Sequence, residues 1–367
     1  MALSKIDVAN MVENEMPQAN IANNVNFRNI IINGDMSIAQ RGTSSTNVST
    51  GYHTVDRFQL TRGAGSLNVS QETDAPTGQG LAKSFKVIDT SGSSPGASDT
   101  NIFLQRIEGQ NLQYIKKGTS SAESLTLSFW IKAKVTGTYI AELYDSDNTR
   151  QISKTYTVSA SQTWEKKTIT FPGDTTGTLD NDNAASLLVN FWFTAGSNFT
   201  SGTLNTSWGS STNANRAVGL TNALASANDY VQLTSIQLEV GTAASDFEFL
   251  PVDVNLQRCQ RYYFQHTSGT SKTVGLGAFY TTTSVDSVIY FPVEMRSAPS
   301  IVATSGSGYY TVYVAGAGRT IDAGVSVNRA NKQSTQFYGE AQSDTAGRAG
   351  LWTTTNSSAS IAFSSEL

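Results

Sequence analysis

The side chains able to do chemistry in this chain are few and scattered. Two histidines, His53 and His266, and one cysteine, Cys259, are its whole supply of imidazole and thiol. They lie too far apart for a zinc set, whose ligands come at short spacings. His53, in Tyr52-His53-Thr54-Val55-Asp56-Arg57, reads as a hydrogen-bonded residue at a strand end. Asp145-Ser146-Asp147-Asn148 and Asp180-Asn181-Asp182-Asn183 are dense in oxygen, as calcium requires, but neither has the glycine and distal glutamate of an EF-hand loop. Asp and Asn also make tight turns by bonding nearby backbone, and we read both segments as turns. A glycosidase needs two carboxylates opposed across a cleft, which spacing alone neither gives nor denies.

Aromatic side chains near turns are the stronger candidates. Tyr309, Tyr310 and Tyr313 follow the Gly-Ser turn Ser305–Gly308, Tyr338 precedes Gly339, and Trp352 follows the loop Ser343–Gly350. Trp130 and Trp192 each come one residue after an inward-facing phenylalanine, Phe129 and Phe191. The two-residue period of a strand therefore places both indoles on the face away from the core. A flat ring with a polar tip stacks on a sugar ring at a wet surface; the same ring fits equally well under a loop, in a core or in a subunit interface. These seven residues are the candidates for glycan contact. No residue is assigned a catalytic role, and no cofactor or metal is expected.

The elements that must carry these residues are β-strands. Leu125–Val135 alternates, with Leu125, Leu127, Phe129, Ile131, Ala133 and Val135 on one face and Thr126, Ser128, Lys132 and Lys134 on the other. Leu187, Val189, Phe191 and Phe193 repeat the pattern, and Tyr139–Leu143 and Ile169–Phe171 are further strands. Asn29–Ile32 reads as a short apolar strand closed by the turn pair Asn33-Gly34. Near residue 235 the parity reverses: Val231 and Leu233 share a face, whereas Ile236, Leu238 and Val240 take the other. A β-bulge at Ser235 reconciles them. After residue 263 come short strands at 288–293, 301–304, 309–314, 324–327, 335–338, 350–353 and 361–363, separated by glycine-rich turns.

These patterns predict an all-β chain: a jelly-roll β-sandwich over 29–250, then a second, smaller β-sandwich over 251–367. Residues 1–28 differ, with a loose helical stripe interrupted at Pro17, and read as a short helical attachment segment. The 367 residues carry a net charge of −4, and only 15% are charged. That leaves no basic field for phosphate backbones, so nucleic acid is not an expected partner. No apolar run is long enough for a membrane-spanning helix, so membrane insertion is not expected. The single cysteine rules out an intrachain disulfide, which leaves the core and oligomerisation as sources of stability.

Four segments carry a family resemblance: Asn33-Gly34-Asp35-Met36-Ser37-Ile38-Ala39-Gln40-Arg41-Gly42, Ile236–Gly241, Arg258-Cys259-Gln260-Arg261-Tyr262-Tyr263, and Phe291–Pro299. In this form and order they resemble bacteriophage tail-fibre and receptor-binding proteins. The first module, from its NGDM turn to its closing IQLEVG strand, is similar to carbohydrate-binding modules of the jelly-roll class, whose first and last strands pair at a sheet edge. The resemblance implies a non-enzymatic, homotrimeric virion fibre made in the host cytoplasm. It would be held to a tail adaptor or a capsid protein near its N-terminus and would bind a host-surface glycan during adsorption. A capsid head-fibre or decoration protein is the alternative, and a tailspike-type polysaccharide depolymerase is a second.

Overall fold

A computed structural model describes residues 27–367 of the chain. The expected N-terminal helix therefore lies outside the described residues. The chain forms two compact β units. The first takes the described residues through Ser37, with Thr43–Thr54 and Phe58–Leu250; the second takes Ile38–Gly42, Val55–Arg57 and Pro251–Leu367.

The first unit is a sandwich of two six-stranded sheets. One runs in the order β1 (Ser44–Ser45), β3 (Leu67–Glu72), β4 (Ser84–Asp89), β12 (Tyr230–Val240), β6 (Leu125–Ala133), β9 (Glu165–Phe171). The other runs β11 (Gly209–Ser210), β8 (Arg150–Val158), β7 (Gly137–Asp145), β10 (Ala185–Ala195), β5 (Thr100–Glu108), β2 (Gln59–Arg62). Neighbours distant in sequence, such as β12 beside β4 and β6, give the jelly-roll connectivity. The inward rows expected from alternation meet between the sheets: Leu127, Phe129, Ile131 and Ala133 of β6 are fully buried, as are Phe191 and Phe193 of β10. Phe129 meets the rings of Phe191 and Tyr156 edge-on at 5.0 and 5.1 Å, and Phe85 stacks on Phe103 at 4.0 Å. Such pairs add to the transfer energy of the area they bury.

The parity reversal in β12 is a bulge. Its pairing with β6 skips between Thr234 and Gln237, and Ser235 has φ +54°. Before the bulge β12 pairs with β4; beyond it the same side is taken by the chain's opening segment. There Ile30 N donates to Leu238 O (2.8 Å), Ile236 N donates to Gly34 O (2.9 Å), and the Asn29 amide bonds both Ile236 O and Leu238 N. Opening and closing segments thus meet, but in the interior of the sheet rather than at its edge. Gly34 makes this approach possible, since a Cβ there would stand 2.0 Å from Ile236 O. Asn29–Ile32 is not the regular strand expected; it is an irregular stretch buried on all sides, too constrained by Gly34 and Asn29 to continue a ladder.

In the second unit a six-stranded sheet closes on itself. Its order is β14 (Thr273–Phe279), β15 (Ser284–Tyr290), β19 (Ser334–Ala341), β18 (Ala317–Asn328), β17 (Tyr310–Val314), β20 (Ala349–Thr354), and β20 pairs back with β14. Beside it lies a three-stranded sheet of β13 (Tyr263–Ser268), β21 (Ser360–Ser364) and β16 (Ser300–Ala303). Phe279, Val285, Tyr310, Val312, Phe337 and Trp352 fill the interior with Ile361 and Phe363 of the smaller sheet, so both sheets share one core. Val252–Gln260 forms a helix that the β-strand patterns do not predict, with Pro251 at its N-cap, Asp253 in its first turn and Arg258 in its last.

Four charges hold the chain's last residues to this unit. Glu366 pairs with Arg41 at 3.1 Å and with Arg57. The Arg57 and Arg41 guanidinium groups lie over the rings of Tyr262 (3.4 Å) and Tyr263 (3.6 Å). Asp56, fully buried beside Arg41, accepts from the Gln40 backbone N–H at 3.1 Å and from its side-chain amide. Burial pushes the Asp56 carboxyl up to about 6, and the Arg41 charge and the Gln40 bonds only partly oppose that.

Candidate functional site

The outer face of the first sheet gathers aromatic and charged side chains in register. Pairing sets Trp130 beside Lys166 on β9 and Thr234 on β12, and sets Lys132 beside Gln232, which faces Lys86 on β4. Trp164, just before β9, shares this parity, and Tyr230 opens β12 on the same face. Trp130, Trp164 and Tyr230 are all part-exposed. The loop from β3 to β4 carries Asp74 over their edge: Lys132 Nζ and Trp164 Nε1 donate to its two oxygens at 2.8 and 3.2 Å. Lys86 Nζ lies 4.7 Å from the centre of the Tyr230 ring. Partial burial pushes Asp74 up, but bonds from Lys132, Trp164 and Gln232 outweigh it and hold the carboxyl below its ordinary range. An ionised carboxylate with spare lone pairs accepts hydroxyl hydrogens; it is a poor proton donor. Aromatic faces beside such an acceptor and two ammonium groups suit a neutral or anionic sugar.

The candidate aromatics do not converge. Trp130 alone among them belongs to this face. Trp192 is on the outward side of β10 as its parity requires, yet it is completely buried. Residues 196–224 fold over that face, bringing Phe199, Leu204, Ala217 and Leu220 against Trp192, Ile102, Leu104 and Ile140. Beneath them Glu142 accepts from Trp192 Nε1 (3.1 Å), Asn190 Nδ2 (2.8 Å) and both Nε and Nη2 of Arg216 (2.8 Å each). Trp192 is thus a packing residue with its N–H satisfied, and no ring face is left for a ligand. Tyr310 and Trp352 are also fully buried, inside the barrel, because strand parity turns both inward. Tyr309 is half-buried against the Tyr310 ring. Tyr313 and Tyr338 stand on the outer wall of the barrel, opposite Leu351 and Asp286 respectively.

The remaining candidates for chemistry are spent on structure. Asp145 is buried in an ion pair with Lys117, whose ammonium also lies 3.1 Å from Asp174. Asp147 accepts from Asp180 N at 2.9 Å and Asp182 from Ala184 N at 2.9 Å, so the two acidic segments brace one another as turns. His53 bonds Ser49 O at 2.7 Å, as expected of it, but lies in irregular chain before β2 rather than at a strand end. His266 bonds Val274 O at 2.7 Å; burial lowers its pKa and that bond only partly opposes the shift. Sequence reading missed Trp164, Asp74, Lys86 and Tyr230. Trp164 was findable, since its parity is opposite to that of the inward Ile169 and Phe171; Asp74 comes from a loop, where periodicity says nothing.

No protein-family model matches the sequence, and no curated protein matches it. Among solved structures the chain is similar to the enzymatically active domain of bacteriophage CBA120 tailspike protein 4, at 13% identity and TM-score 0.32, over 58% of this chain and 22% of that one. It is similar to TmCBM61 in complex with β-1,4-galactotriose, at 11% identity and TM-score 0.30, over 58% of this chain and 99% of that one. It is also similar to the family 11 carbohydrate-binding module of the Clostridium thermocellum cellulase Lic26A-Cel5E, at 14% identity and TM-score 0.28, over 55% and 97%. Likenesses this distant transfer neither ligand nor activity, and the fold class rests on the sheets described above.

Proposed function

We propose that this chain is a virion fibre protein that recognises a host-surface glycan without cleaving it. The observation that carries the reading is the outer face of the first sheet, where Trp130, Trp164 and Tyr230 remain part-exposed around Asp74, Lys132 and Lys86. Three rings with fixed polar groups between them match the alternation of apolar ring faces and hydroxyls on a saccharide. A carboxylate held ionised favours binding over acid catalysis. In this reading the chain is a homotrimer attached through residues 1–28 to a tail adaptor or capsid protein. Weak single contacts then suffice, because linking sites raises apparent affinity by roughly 10²–10⁴ when all can engage together.

The test is binding of the purified chain to an array of bacterial surface polysaccharides, followed by titration of the glycans retained. Trp130→Ala and Trp164→Ala should each weaken the per-site affinity by up to about tenfold, the upper end of an aromatic contact. Glycan binding that both substitutions leave unchanged would overturn the placement of the site, and an absence of any glycan binding would overturn the function.

A further inference from the structure

The outer wall of the barrel in the second unit exposes apolar side chains in a connected set. Pairing aligns Tyr313 on β17, Leu351 on β20 and Leu276 on β14 as one cross-strand row. Tyr280 continues the outward parity of Leu276 along the β14–β15 hairpin, and Val288 and Tyr290 are outward on β15. Leu276, Tyr280 and Tyr290 are 77%, 77% and 78% exposed, and Val288 is 56% exposed. Together the six present on the order of 500 Å² of side chain, at the limit of what a monomeric surface carries in one patch and most of the roughly 800 Å² per partner of a stable interface. The wall is not an open sheet edge, since the sheet is closed, so strand addition does not explain it.

We infer that this wall is where copies of the chain meet. Charge selects a second copy as the occupant. Among the outward residues of β14, β15, β17 and β20 the one charged group is Asp286, and it already accepts from Gln336 Nε2 at 2.7 Å. Around a threefold axis such walls pack on neighbouring copies with a single carboxylate per chain to accommodate, already hydrogen-bonded at Gln336, and little is lost in desolvating the rest. The Trp130 face, with Lys86, Lys132 and Lys166, would set ammonium groups against each other in the same arrangement. Tyr313 is then an interface residue rather than a sugar contact, its ring packed and its hydroxyl at the rim.

The inference rests on the trimeric reading proposed above, and one measurement separates the two. Light scattering on size-exclusion fractions of the full chain should give three chains for wild type and for Trp130→Ala. Leu276→Asp should give one-third of that mass with an unchanged far-ultraviolet spectrum. If Leu276→Asp fails to fold, Tyr290→Lys places a charge at a still more exposed point of the wall and should have the same effect. A monomeric wild type overturns both the trimer and the wall. An oligomer that persists in the folded charged variant overturns the wall alone and leaves the trimer standing.

Discussion

Replacing Asp56 by Asn should remove a pH dependence from the second unit. The Asp56 carboxyl is fully buried and titrates at about 6, against an ordinary value of 3.8. Between those two values the folded chain keeps a proton that the unfolded chain has lost. Folding is therefore favoured by this group below the unfolded pKa, and that contribution falls away as the pH rises through about 6. A shift of about two units corresponds to about 3 kcal/mol less stability at neutral pH than in mild acid, the opposite direction to a salt-bridged carboxylate. Asn retains the oxygen that accepts from Gln40 N and carries no proton to exchange. The lone thiol gives a local readout, since Cys259 is buried in this unit and reacts with a thiol reagent only when the unit opens. Urea titrations at about pH 4 and about pH 7, each read by a short labelling pulse on Cys259, give the two stabilities. Other carboxylates titrate in the same window, so the quantity that matters is the change between the two pH values in wild type minus that in Asp56→Asn. It should be roughly 2–2.5 kcal/mol, somewhat less than the full shift, because at about pH 4 the unfolded carboxyl is already more than half ionised. A difference below about 0.5 kcal/mol would mean that burial does not control this carboxyl and that Arg41 and Gln40 compensate it in full.

Two further changes test the first unit. Glu142→Gln leaves the Arg216 guanidinium paired with a neutral amide under the 196–224 segment, and should cost roughly 3–5 kcal/mol in thermal or urea unfolding while red-shifting the emission of Trp192. Gly34→Ala forces a methyl against the Ile236 carbonyl and should destabilise by about 1–3 kcal/mol, with faster hydrogen exchange at Ile236 and Leu238 as its specific sign.

Much of the fold was legible because a strand's two-residue period is local. The Leu125–Ala133 row and the Phe191–Phe193 row follow from alternation between apolar and polar residues, and the strands of the second unit other than β13 and β14 from short apolar runs between glycine-rich turns. The bulge at Ser235 was legible for the same reason, since one extra residue leaves a parity error that any reader of the strand can find. What escaped was either short or irregular. The helix Val252–Gln260 spans too few turns to show a clear stripe, and β14 carries Gly275 and Gly277 where side chains would have marked its pattern. Asn29–Ile32 has a strand's composition, but only Ile30 N bonds β12 directly; the N–H groups of Asn29, Ile31 and Ile32 go to side-chain oxygens of Glu248, Asn29 and Gln105, and the Asn29 side-chain amide makes the other bonds to β12.

The candidate site shows where such reading stops. From sequence, Trp130 and Trp192 are equivalent: each follows a core phenylalanine and each must face outward. Alternation by itself determined that much, and the structure agrees for both. Tertiary structure decided what covers them. Residues 196–224 return over β10 and seal Trp192 against Arg216 and Phe199, whereas the 73–83 loop reaches only the edge of the Trp130 face and delivers Asp74 to it. A side chain's face is fixed by its neighbours in sequence, a separation of one or two residues; its exposure is fixed by segments many residues away, through contacts that no local period encodes.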